Sequence, residues 1–246
     1  MNDHVKREWT NEFAIGFPGR WVGGISLIVS PLLLLVGVLI RRQFHFFFPE
    51  QLAAVQMHPI LMAVSYSCFA AGNLLLCPAV IVLAGLIGRR KPGWAMWGGV
   101  FTIFGLFART FHSGVDHLAF QLVRNQSIEL ATEVVANSYG AFHIFCTLNL
   151  AIMMGWILLA VGAFRSGTLH PLSSVALALM ATLPLGVLKG TTPFSMIAIT
   201  GLCISFIPLG IKILRHGEKP GIGNILIWSI RIILVGGIFF YFGQQG

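Results

Sequence analysis

Charge is what this sequence has least of. Only 10% of its 246 residues are Asp, Glu, Lys or Arg, against about 25% in a soluble domain. Eight residues are acidic, and Asp116 is the only acid inside an apolar run. A cation channel built on acidic rings is therefore disfavoured. The four cysteines, Cys68, Cys77, Cys146 and Cys203, all fall inside apolar runs without Cys-x-x-Cys spacing. They read as small buried hydrophobes. No His-Glu-x-x-His occurs, and the glycines lack the strand–turn–helix setting of a phosphate loop. Internal repeats and low-complexity tracts are missing as well. So are a signal-peptide pattern and a lipidation motif, so residues 1–20 are expected to stay as a cytoplasmic N-terminal tail.

What the chain does have is hydrocarbon. It is 56% hydrophobic, with a mean hydropathy of +0.83, in runs of about 17 to 30 residues that suit helices rather than barrel strands. The expectation is an all-α polytopic integral membrane protein of the cell membrane, a single transmembrane domain over 21–246. Seven spans are read at 21–40, 57–87, 95–120, 140–164, 172–188, 193–214 and 222–242. The fifth is short and rests on Pro171 and Pro193 as punctuation.

The formal charge is +8, but the basic residues are dispersed at span ends without interleaved aromatics. No nucleic acid partner is expected; membrane lipids are. Ten basic residues fall on one side: Lys6, Arg7, Arg20, Arg89, Arg90, Lys91, Arg165, Lys212, Arg215 and Lys219. Four, namely Arg41, Arg42, Arg124 and Lys189, fall on the other. This asymmetry places the N-terminus inside and the C-terminus outside.

In that orientation the unusual residues gather near the outer leaflet. Arg109, His112 and Asp116 fall within about 60° on one helix face, with His117 about 100° from Asp116. His58 opens the second span and His143 the fourth, at similar depth. Intramembrane ionisable groups mark cavities, partners or pathways. His112, Asp116, His58 and His143 are thus candidate ligands for a transition metal, with Asp116 also able to support a histidine. Haem between His58 and His143 ranks below such a site. Arg109 and Arg231, both deep, outnumber the one acid and call for an anionic small molecule or lipid, with Arg231 closing the pocket from the seventh span. An enzyme acting on a lipid or isoprenoid would use His112 or His117 as acid/base and Asp116 to orient it. A third alternative is a regulatory or immunity-type protein whose polar cluster is purely structural.

The spacing His112-x-x-x-Asp116 resembles one motif of the seven-helix membrane hydrolases that include alkaline ceramidases and progestin-type receptors. Those proteins also carry a later His-x-x-x-His, and the seventh span here holds no histidine, so their zinc ligands are not transferred. The loop from Phe44 to Glu50, dense in phenylalanine, is expected to lie in the outer headgroup region as a lid. Ile128, Ala131 and Val135 share a face of a short surface helix, with Glu129 and Glu133 on its solvated side. On the second span, His58, Ser65 and Asn73 form a polar stripe that reads first as interhelical packing.

Overall fold

The sequence makes helices wherever apolar runs are uninterrupted, and prolines stand at several of their starts. In the computed structural model, which describes residues 16–138, 143–216 and 221–245, the regular elements are helical and no strand occurs among those residues. They are α1 (Arg20–Arg41), α2 (Phe48–Met57), α3 (Pro59–Gly88), α4 (Pro92–Asn125) and α5 (Ile128–Ser138). A 3-10 turn (Ile144–Thr147) leads into α6 (Leu148–Ser166). Then come α7 (Pro171–Ala178), which runs on as a 3-10 turn to Thr182, and α8 (Pro193–Arg215). These belong to one unit ending at Arg215; from His216 a second unit carries α9 (Ile222–Gly243). The expected N-terminal tail lies outside the described residues as far as position 15.

Pro59, Pro92 and Pro171 occupy first-turn positions, where a missing N–H costs nothing. The end of α6 is set by Gly167, whose φ of 70° lets the Thr168 N–H turn back to the Ala163 carbonyl. Thr192 and Ser195 cap α8 reciprocally: each side-chain oxygen accepts the other's backbone N–H.

Five helical stretches are long and apolar enough to cross a membrane: Arg20–Arg41, Pro59–Gly88, Ile144–Ser166, Pro193–Arg215 and Ile222–Gly243. α4 is longer, 34 residues, but its polar positions interrupt its apolar character. The expected fifth span, 172–188, is not a continuous helix. Its helical part, Pro171–Thr182, rises about 18 Å, well short of a hydrocarbon core of about 30 Å. Leu183 to Thr192 is irregular.

Within the first unit the packing runs from α1 to α3, α4, α6, α7 and α8, and α8 returns to α1. α8 lies antiparallel to α1. Gly210 sits against the Gly24 carbonyl at one level, and Thr191 bonds the Val38 carbonyl at the other. α7 starts beside the middle of α8, where Ser205 donates to the Ser173 carbonyl. The irregular stretch then climbs to the Arg41 end of α1, so half of this passage is helix and half is not.

Close approach comes from small residues. A Cβ on Gly105 of α4 would lie 2.0 Å from the Ile152 Cβ, and one on Gly155 of α6 2.4 Å from the Thr102 N. Between helices, Trp156 and Phe206, both fully buried, meet with ring centroids 6.3 Å apart. A second, smaller core caps one end. Leu52 and Val55 of α2 pack with Phe120 and Val123 of α4, Ala131 and Val135 of α5, and Leu188. The expected amphipathic helix is thus found as α5, with Glu129 and Glu133 exposed.

Candidate functional site

The irregular stretch needs partners, because its backbone N–H and C=O groups are not paired within a helix. α4 supplies them at two levels. Arg109 donates from Nη2 to the Leu183 carbonyl at 3.3 Å and from Nη1 to the Pro184 carbonyl at 3.4 Å. Two turns on, Asp116 accepts the Leu188 N–H at 2.6 Å. Seven residues separate these side chains by about 10.5 Å along the axis. They share a face, as expected, but Asp116 takes its hydrogen bond from the Leu188 backbone, not from Arg109 or a histidine. The arginine stands at the carbonyl end of the α7 half-helix, the end a cation favours. Gly186, at φ 123°, and Leu188, at φ 50°, let the chain turn between the two anchors.

A cavity of about 40 Å³ lies between α4, α1 and this stretch, lined among others by Arg41, Arg109, His112, Ser113, Asp116 and Lys189. Arg41 is 3% exposed, its guanidinium sits 4.2 Å from the Tyr66 ring centre, and its Nε has no hydrogen-bond partner. Its Nη1 reaches the Lys189 carbonyl at 3.4 Å. α8 begins at the cavity, where Ser195 forms part of the wall, so a helix N-terminus adds positive potential.

The aromatic loop lies over the irregular stretch. Gly190 donates to the Phe46 carbonyl at 2.9 Å, and the Lys189 Nζ is 5.3 Å from the Phe46 ring centre. Gln51 of α2 donates to the His45 carbonyl and pairs with Tyr66. The expected lid is therefore a covering of the segment that bounds the cavity.

The four histidines do not converge. His112 is buried and its ring centre is 6.4 Å from that of His143, whose other neighbours include Phe111 at 4.8 Å and Cys146 Sγ at 3.3 Å. His58 ends up exposed against Phe44, with 5.6 Å between ring centres. His117 is exposed beside Gln121. Among the described residues no three His, Cys, Asp or Glu side chains come together to hold a metal, so the expected ligand set His58, His112, Asp116 and His143 gains no support. The reason is angular and axial: similar sequence depth did not bring these rings to one point. Ser113 donates to the Arg109 carbonyl at 3.1 Å and is not paired with a histidine.

Arg231 lies in the second unit, with its guanidinium 5.1 Å from the Trp228 ring centre. The stripe on α3 divides as its packing reading implies. Ser65 donates to the Gly37 carbonyl at 2.7 Å and Asn73 to the Leu106 carbonyl at 3.3 Å, while His58 joins neither. The cysteines are free; three are half-buried and Cys146 is exposed, so that one is not a core residue.

Sequence reading assigned Arg41 and Lys189 to the outer headgroup charge and so missed both. The available signal was their position beside Pro31-containing α1 and the Pro184–Gly186–Gly190 punctuation, which marks a chain unable to stay helical. In comparisons with known proteins, no family model, curated protein or solved structure matches this chain.

Proposed function

We propose that this multi-pass membrane protein binds a small anion in the cavity between α1, α4 and the irregular stretch. The observation that carries the reading is the buried Arg41 guanidinium, whose Nε has no hydrogen-bond partner, on a wall where one carboxylate stands against Arg41, Arg109 and Lys189. Arg109 carries five N–H donors and engages two carbonyls. Charge-assisted hydrogen bonds from guanidinium to an oxyanion are strong and geometrically specific. The volume, about 40 Å³, corresponds to about three waters, which suits the head of an oxyanion and not a macrocycle. In this reading the chain makes seven crossings, α4 and the broken α7 passage included, with the N-terminus inside and the cavity toward the outer leaflet.

The test is thermal unfolding of the purified full-length protein with inorganic phosphate, sulfate or acetate at constant ionic strength. Binding at a hundred times Kd stabilises the folded state by about 2.7 kcal/mol, and Arg41→Gln removes that increment. Stabilisation unchanged by Arg41→Gln, or no anion dependence at all, sinks the proposal. A second reading is favoured by a specific observation: Arg109 and Asp116 both hold the backbone of 183–188. Their cluster is then structural, and its variants lower stability without touching any anion response.

A further inference from the structure

A second hollow lies on the other side of Asp116. Of about 540 Å³, it runs between α3 and α4 and shares Ser113 and Asp116 with the inner cavity. This is within the usual range of ligand pockets, about 300–1,000 Å³. Its length can be read on either helix. From Pro59 to Ala70 on α3, and from Ser113 to Arg124 on α4, the lining spans twelve residues, a rise of about 16 Å. Ile60, Ala63, Ala70 and Phe120 make an apolar channel along it.

The polar groups are distributed unevenly. His117, Gln121 and Arg124 recur at helical spacing toward the end of α4, with His117 and Arg124 exposed. Asp116 stands nearer the deep end and is engaged by the Leu188 N–H. An anionic head is repelled by that carboxylate and attracted to Arg124. The chemistry therefore orients an occupant with its head at the Arg124 end and its tail running down past Ala63 to Ala70.

We infer that this groove is a binding site for an anionic phospholipid of the surrounding bilayer. The phosphate lies at Arg124, where a guanidinium offers paired N–H donors, with Gln121 and His117 beneath it. One hydrocarbon chain fills the groove between α3 and α4. The inference is independent of the inner anion site: Arg41 and Arg109 take no part in it.

Native mass spectrometry of the full-length protein, released from detergent after incubation with single lipids, tests this directly. Phosphatidylglycerol should be retained about tenfold more than phosphatidylcholine of the same chains, the effect of one charge-assisted contact. Glycerol phosphate, the head without chains, should fail to compete. Arg124→Gln should bring phosphatidylglycerol down to the phosphatidylcholine level. Ala63→Trp should reduce both, because the indole fills the channel. Both substitutions are at exposed positions, and unchanged melting temperatures establish that the variants fold. Equal retention of the two lipids overturns the inference, as does full phosphatidylglycerol retention in folded Arg124→Gln or Ala63→Trp. Displacement by glycerol phosphate also overturns it, since the head alone then carries binding.

Discussion

Asp116 shows how a single buried acid is accommodated without a counter-ion in contact. Its oxygen accepts one backbone N–H from a chain that has left the helical path, so the acid substitutes for the hydrogen bond a helix would have supplied. Asp116→Ala leaves the Leu188 N–H unpaired in a buried site and should cost about 1–3 kcal/mol. Asp116→Asn keeps an acceptor and should cost clearly less. Thermal unfolding of the three proteins in one detergent measures the order; an alanine variant as stable as the native chain would mean the bond contributes nothing. At Gly186 the backbone has φ 123°, a region that a Cβ disfavours. Gly186→Ala should therefore destabilise by at least about 1 kcal/mol, read in the same assay.

At the scale of elements, the α4–α6 contact and the broken passage solve different problems. α4 and α6 approach closely because Gly105 and Gly155 leave no room for a side chain. Dispersion between tightly apposed backbones drives helix association where lipid removes most of the hydrophobic contribution. Gly155→Ala would push a Cβ into the Thr102 backbone and should cost about 1–3 kcal/mol as overpacking. Gly114, with nothing near its Cβ position, is the control, and Gly114→Ala should lose no stability. Equal effects at the two positions would contradict the packing account. The broken passage instead relies on polar side chains of a neighbour. α4 is the element on which Arg109 and Asp116 are spaced to meet Leu183 and Leu188.

For the whole molecule, the proposed orientation rests on the basic asymmetry of the sequence alone. Two of the four basic residues assigned to the outer side, Arg41 and Lys189, line the cavity. Cysteine introduced at Lys91 should react with a membrane-impermeant maleimide only in inverted vesicles, and cysteine introduced at Glu50 only in intact cells. Cys146 is exposed, so the labelling background is Cys146→Ser. The reverse pattern would place the cavity at the inner leaflet.

The sequence by itself determined the helical class, most helix boundaries within a few residues, the amphipathic α5 and the special status of Arg109 to Asp116. Those features are local: apolar run length, proline at helix starts, and a fixed 100° step per residue. Tertiary structure alone decided which histidines meet, because the rotation of each helix about its axis depends on neighbours such as Gly105 against Ile152. It also decided that 183–192 leaves the helical path, since that conformation is tolerable only with Arg109 and Asp116 beside it. Arg41 belongs to the cavity for the same reason. Its place at the end of an apolar run is legible one residue at a time, whereas the Tyr66 ring and the Lys189 carbonyl around it arrive from distant parts of the chain.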